Sequence, residues 1–432
     1  MRFLRRCFGI LLGAAALCVS DCSDDGGTPT EPEASWFETH AVVLTNAETG
    51  SPEPNLSALP ALIGDARIVA LGEGNHGTTD FWGMRQKISK YLVEEMGFNA
   101  ILMEAGFPDG FFVNDYVVNG TGSAAEAHEK LGVWKYQEMR TLIEWMREYN
   151  VQNEGSGRAL QYFGFDCAFH DWGGAIELIT EFLETADPGA VAEVSARLGN
   201  YAIDDVQWVQ NYFVSNSAEL IQSGGEHGYG VALRVIQNLE PSWMVWDNLS
   251  KGIPTYELRD ENSADNVDWI IQELLDGGKV ILWAANGHVG RTFYPDGETR
   301  ARMLGWWLNE RHGGDYYNVV SEFYGGQFMA QDRCPGNSQG FVVQTAAIPL
   351  EDTYAHKFHL EGIPLFFLDM RSADLSDPEA AWITGPLLLR RIGASYCPSY
   401  DREWYTRTVL LPEEYDGVLF FEQIAPVTPI SF

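Results

Sequence analysis

The chain reads as an α/β protein, a three-layer α/β/α core with a mainly parallel or mixed central sheet and a large helical insertion lobe. Three observations predict it. Short continuous apolar runs recur along the chain, as strands buried on both faces do. Segments with apolar residues at helical spacing alternate with those runs. One long middle stretch, 172–276, is helical in pattern from end to end.

The first run, "ARIVALG" (66–72), suits a buried strand. It leads into "TTDFWGMRQKISKYLVEEMG" (78–97), where Phe81, Met84, Ile88, Tyr91 and Leu92 fall at helical spacing. Thr78 or Thr79 can cap the start of this helix and Gly97 its end. "FNAILMEA" (98–105) is a second buried strand, so the three elements predict a βαβ unit with parallel strands and a right-handed crossover. Further strands are predicted at "LQYFGFD" (160–166), "KVILWAAN" (279–286), "YNVVSEF" (317–323), "GFVVQTAAI" (340–348) and "LFFLDM" (365–370). Between the third and fourth of these seven runs lie "GAIELITEFLETA", "AVAEVSARLGNYAI", "VALRVIQNLE" and "ADNVDWIIQELLDG", which form the expected helical lobe. The folded domain is expected to span 36–432.

The N-terminus reads as a targeting segment. "MRFLRR" is basic, and "CFGILLGAAALCV" is apolar but too short to span a bilayer. Residues 1–22 are therefore expected to be a signal peptide of lipoprotein type, with Cys22 as the lipidated residue. Residues 23–35 are acidic and rich in Pro and Gly, as a flexible tether is. The expectation is an exported, cell-envelope protein that meets the membrane only through its lipid anchor. Cys7 and Cys18 would leave with the signal, while Cys334 and Cys397, both near prolines in loop-like sequence, can pair in an oxidising compartment. The formal charge is −33, from 28 basic and 61 acidic side chains. Such a field repels nucleic acid and anionic headgroups, so neither is an expected partner.

In open parallel sheets, ligands bind beyond the carboxyl ends of the strands. The polar residues there come from separate stretches of chain. Glu73 and His76 follow the first strand, Glu104 ends the second, Asp166 ends the third, and Asn286 and His288 follow the fourth. Imidazole is the usual general base near neutral pH, and His76 sits in a glycine-rich turn at a helix start. Arg85 lies on or beside the apolar face of that helix, and a buried guanidinium without a partner is very costly. Glu73 and Glu104 are its natural partners. The pair either braces the βαβ unit or takes part in chemistry by orienting His76 or holding an anionic intermediate. Two other motifs carry less. "GNSQG" (336–340) lacks the preceding strand and following helix that a serine nucleophile elbow needs, which argues against Ser338. "HKFH" (356–359) has no acid pattern to complete a zinc site. No metal or cofactor is expected.

"LGEGNHGTTDFWGMRQKISKYLVEEMGFNAILMEA" (71–105) resembles the opening motif of the erythromycin esterase family, which reads roughly G-E-x-x-H-G, then Arg, then a Glu ending the next strand. "LIEWMREYN" (142–150), "YFGFD" (162–166), "LRDENSADNVDWI" (258–270), "WAANGHVGR" (283–291) and "LDMRS" (368–372) support the resemblance. It implies a hydrolase of carboxylic esters or lactones, best known for opening macrolides, that uses a histidine-activated water and no serine nucleophile. The family's base matches His76. Glu73, Arg85 and Glu104 would surround it, and His288 would approach from the far side. Asp166, Arg259, Asp260, Asn266 and Asn286 are the matching candidates for lining the substrate cleft. The resemblance also implies an alternative, a haem-, iron- or small-ligand-binding envelope lipoprotein on the same fold. At one place the chain departs from the family. Ala285-Asn286-Gly287-His288 stands where macrolide esterases carry His-Asn-x-His, so macrolide hydrolysis is not carried over.

Overall fold

The computed structural model describes residues 34–48, 53–132, 134–169, 171–296, 299–336 and 340–430. The expected signal peptide, Cys22, nearly all of the expected tether and Ser338 lie outside the described residues.

The strands, in chain order, are β1 (Ala41–Val43), β2 (Ile68–Glu73), β3 (Ala100–Gly106), β4 (Gln161–Asp166), β5 (Val280–Ala285), β6 (Phe293–Asp296), β7 (Thr299–Arg302), β8 (Tyr316–Asp332), β9 (Phe341–Thr345), β10 (Leu365–Asp369), β11 (Pro386–Arg390), β12 (Ser395–Tyr396), β13 (Thr406–Leu410) and β14 (Gly417–Ile424). Ten of them make one mixed sheet in the order β1-β10-β14-β8-β2-β5-β3-β4, with β9 and β12 joined to β8. The stretch from β14 to β4 is parallel, and β10 and β1 close one edge antiparallel.

The sheet has a helical layer on each face, because its strands are apolar on both. Ile68 and Ala70 of β2, with Leu102 of β3 and Leu282 of β5, pack among the helices between β4 and β5. Their neighbours Val69, Leu71, Ile101 and Trp283 point the other way, toward helices Thr79–Met96 and Gln137–Gln152. The α/β/α class is therefore observed, with a mixed sheet. The chain between β4 and β5 forms Gly173–Ala186, Val191–Leu198, Ile203–Ser215, Ser217–Gly224, Glu226–Ser250 and Tyr256–Trp269. Ala264 and Val267 of the last of these are buried in the same core as β2. Among the described residues, no helix is long and apolar enough to cross a membrane.

Several elements differ from the sequence expectation. β2 and β3 are parallel, but β5 lies between them, so the predicted βαβ unit is split by a strand that arrives only after the helical lobe. The strand expected at 317–323 continues to Asp332, and its second half pairs with β9 as an antiparallel ribbon. The central strand β14 was not predicted at all, although "GVLFFEQI" is an apolar run bounded by Asp416 and Pro426 like the others. Cys334 and Cys397, a pairing the sequence allows but leaves open, form a disulfide, and Cys167 is a buried free thiol.

Candidate active site

The carboxyl ends of β2, β3 and β5 frame a cleft of about 300 Å³. On one side stands His76. Its Nδ1 lies 2.6 Å from Glu73 Oε1, and its backbone N–H donates to Gly393 C=O at 3.2 Å. The tight turn depends on glycine, because a Cβ on Gly77 would fall 1.9 Å from the Met329 carbonyl oxygen. Asn75 Oδ1 locks the turn by accepting from Gly77 N–H (3.0 Å) and Thr78 Oγ1 (2.8 Å). Trp134 packs edge-on against the imidazole at 5.1 Å, and its Nε1 donates to Glu104 C=O at 2.9 Å. The His76 side chain is 19% exposed and Glu73 1%, so the ring meets the cleft while its carboxylate is sealed below.

Arg85 lies beneath Glu73 and forms an ion pair with it. The guanidinium is buried between the rings of Trp82 and Trp283, whose centroids are 5.1 and 4.6 Å away. Burial pushes its pKa down, against the opposing charges of Glu73 and Glu104.

Across the cleft stands a second network. The pairing of β3 with β4 shifts register between Met103 and Gly106, the stretch that carries Glu104. Glu104 Oε2 accepts the Ala285 N–H at 2.9 Å, and Oε1 pairs with Arg259 at 2.8 Å and His288 Nε2 at 3.3 Å. Arg259 also forks onto Asp166, with bonds of 3.0 and 2.6 Å. His288 Nδ1 lies 2.7 Å from Asp260 Oδ2, which also accepts the Leu304 N–H. Burial alone would raise the Glu104 pKa, but His288, Arg259 and His76 outweigh it and hold the carboxyl well below the usual range. Burial alone would lower the His288 pKa, but Asp260 and Glu104 outweigh both it and the nearby Arg259, so His288 is raised. The raised value favours the imidazolium. The arrangement therefore offers one imidazole with a nitrogen open to the cleft and one whose two nitrogens are already engaged, Nδ1 by Asp260 and Nε2 by Glu104 and Arg259.

Of the ten cleft candidates read from the sequence, His76, Glu73, Glu104, Arg259, Asn286 and His288 line the cavity. Four do not. Arg85 is sealed under Glu73 and cannot meet an anionic intermediate, so its place is that of a positioning residue. Asp166 sits behind Arg259, and Asp260 behind His288. Asn266 is fully buried and bonds to Phe165 C=O and Asn238, away from any cleft. Asn286 borders the cavity, but its amide is committed to the Ser321 backbone at 2.8 and 3.1 Å.

Sequence reasoning missed the rest of the lining: Tyr256, Met303 and the strap Arg391–Ser395. The strap lies on the His76 turn, where Ile392 and Gly393 N–H both donate to Gly74 C=O. It has no periodic pattern, and the adjacent arginines in "RRIGASYC" are its only local signal. Among the described residues, no group of three or more His, Cys, Asp or Glu side chains is disposed to hold a metal ion.

A mixed α/β/α sheet with paired imidazole–carboxylate dyads at its carboxyl edge defines the class. The sequence profile of the erythromycin esterases matches residues 93–424, and the chain belongs to that family. Glu73, His76 and Arg85 lie just ahead of the matched span. The chain is 26% identical over 320 residues to erythromycin esterase type II of Escherichia coli, an alignment covering 63% of this chain and 72% of that protein. In structure it is similar to a protein from Bacillus cereus, with a TM-score of 0.76, 21% identity and coverage of 92% and 98% of the two chains. It is likewise similar to a mutant of erythromycin esterase EreC in its open conformation, with a TM-score of 0.64, 21% identity and coverage of 86% and 94%.

Proposed function

We infer that the protein is a metal-independent hydrolase of carboxylic esters or lactones that uses His76 to activate water. The observation that carries this reading is the His76 ring, with Nδ1 on Glu73 and its other edge turned to the cleft. An Nδ1–H held by Glu73 leaves the Nε2 lone pair free to take a proton from water. The water oxygen then bonds to the ester carbon. Charge developing on the carbonyl oxygen faces His288 and Arg259, not Arg85, and one such donor is typically worth about 3 kcal/mol. As the bond to the leaving oxygen breaks, His288 supplies that oxygen's proton. Proton transfer through solvent from His76 back to His288 resets the pair, and the products are an acid and an alcohol.

Glu104 balances the two cations and fixes their spacing. Ala285 contributes a backbone N–H to Glu104 but only a methyl group to the rim, so esters other than macrolides are the expected substrates. The chain between β4 and β5 borders the cleft through Tyr256 and Arg259 and would set substrate choice. The Cys334–Cys397 disulfide favours the oxidising, exported location that the N-terminal sequence suggests, with Cys22 as lipid anchor. Cys22→Ser should move the protein from the membrane fraction to the soluble one. The test of function is a panel of esters and lactones, erythromycin included, run with and without a chelator on the wild type and His76→Ala. The expected result is chelator-resistant hydrolysis lost in the variant. Equal rates in the two proteins remove His76 from the mechanism.

The haem- or iron-binding reading finds no observation in its favour.

A further inference from the structure

The turn that carries His76 is gripped by two segments that lie far from it in the chain. The end of β8 holds one side, where Met329 N–H donates to Gly77 C=O at 2.9 Å. The strap Arg391–Ser395 holds the other. It accepts the His76 N–H at Gly393 C=O (3.2 Å) and donates the Ile392 and Gly393 N–H groups to Gly74 C=O (3.0 and 3.3 Å). Gly393, at φ +64°, also stands beside the open ring nitrogen, where an added Cβ would lie 3.9 Å from Nε2. The place of the strap therefore sets both the His76 backbone and the space in front of its ring.

The two gripping segments meet at β12, a strand of two residues that pairs with Gln331 and Asp332 of β8. Gln331 N–H donates to Ala394 C=O at 2.9 Å, and Arg333 N–H to Tyr396 C=O at 3.2 Å. So short a ladder opens readily on its own. Just beyond it, Cys334 and Cys397 are joined, 63 residues apart in sequence. A crosslink ordinarily stabilises the whole fold. This one also bonds the end of β8 to the end of the strap, the two segments between which the turn is held. We propose that the Cys334–Cys397 disulfide is a positioning clamp for His76 and that turnover follows its oxidation state. This rests on the ester hydrolase reading above and adds a control of the same site. Cys397 is sealed in the core and Cys334 is half-buried, so a dithiol reaches the Cys334 sulfur. Its first thiolate bonds to Cys334 Sγ as the bond between the two Sγ atoms breaks, and Cys397 leaves as a thiolate that takes a proton. The second thiolate of the dithiol then closes on the first sulfur, which frees Cys334 and leaves a cyclic disulfide. Two electrons have passed from the dithiol to the protein pair. With the clamp open, a drift of the turn by roughly half an ångström costs about tenfold in kcat.

The test compares the full chain in three forms: oxidised, reduced with dithiothreitol and then freed of it under argon, and carrying Cys334→Ser/Cys397→Ser. kcat and KM are measured on p-nitrophenyl acetate, and backbone hydrogen exchange is followed over 74–79 and 390–397. The reduced protein and the double variant should each lose about tenfold in kcat, with KM within about twofold of the oxidised value. Exchange in both segments should quicken about tenfold while β2, β3 and β5 keep their protection. Reoxidation should restore the reduced protein, and dithiothreitol should leave the double variant unchanged. Equal kcat in the oxidised and reduced forms, or a fall in kcat with exchange at the turn unchanged, overturns the clamp. Faster exchange throughout the sheet overturns it as well, since the crosslink then serves global stability alone. A turn that loosens on reduction in a protein that cleaves no ester overturns the hydrolase reading and leaves the clamp on the turn standing.

Discussion

His76 and His288 start from the same local design and end in different surroundings. Each places Nδ1 on a buried carboxylate, Glu73 at 2.6 Å and Asp260 at 2.7 Å. What differs is the other nitrogen. For His76 it faces a cleft, with Gly393 as its bare neighbour. For His288 it sits 3.3 Å from Glu104 and 3.2 Å from Arg259 inside a charged network that raises its pKa. A carboxylate behind an imidazole therefore does not define its role. The groups in front of it decide whether its second nitrogen is open to the cleft or already engaged.

That contrast breaks in a graded way. Glu73→Gln removes the negative charge behind the His76 ring and beside Arg85, and its amide can present a donor as well as an acceptor to Nδ1, so the ring tautomer is no longer fixed and kcat should fall about a thousandfold. Initial rates on a simple ester check this, with folding confirmed by circular dichroism. Arg85→Met leaves Glu73 buried without its countercharge, and urea unfolding should show a loss of about 3 kcal/mol. The tryptophans on either side would shield the new side chain but cannot neutralise Glu73. His288→Asn should lower kcat about a hundredfold, the usual worth of a general acid, and erase the basic limb of the pH–rate profile.

Asp260→Asn is the mildest test and the sharpest on sign. The wild-type His288 pKa is raised, so its proton, and the stability that proton contributes, are fully present below the ordinary imidazole value of about 6.5 and are lost as pH rises through the raised one. Removing the Asp260 charge should move both the basic limb of activity and the alkaline loss of stability to lower pH. Glu104 works in the other direction. Its pKa is held down, so its contribution is present above the ordinary carboxylate range and is lost only as pH falls.

The sheet edge was legible because buried parallel strands are continuous apolar runs and their polar ends stand out. Glu73, His76, Glu104 and His288 were found that way. The neighbour relations were not legible, because nothing local in "KVILWAAN" says that it inserts between β2 and β3. Arg85 was matched to Glu73 and Glu104 from the cost of burying a charge; Glu73 is its ion-pair partner, Glu104 pairs with Arg259 instead, and the seal between Trp82 and Trp283 depends on a ring from a distant strand. Asn266 matched a family motif but proved to be a core hydrogen-bonding residue. The strap Arg391–Ser395 reaches the cleft through backbone bonds to Gly74, and backbone bonding of that kind leaves no side-chain pattern to read.

Chemical rescue addresses the central point most directly. His76→Gly and His288→Gly would each be assayed on one activated ester across a series of imidazole concentrations. The predicted result is that imidazole restores a substantial part of the lost rate in His76→Gly, because the void opens to the cleft and solvent, and little in His288→Gly, whose place is walled by Asp260, Glu104 and Arg259. Full activity in His76→Gly without imidazole, or rescue confined to His288→Gly, would contradict the assignment of the two imidazoles.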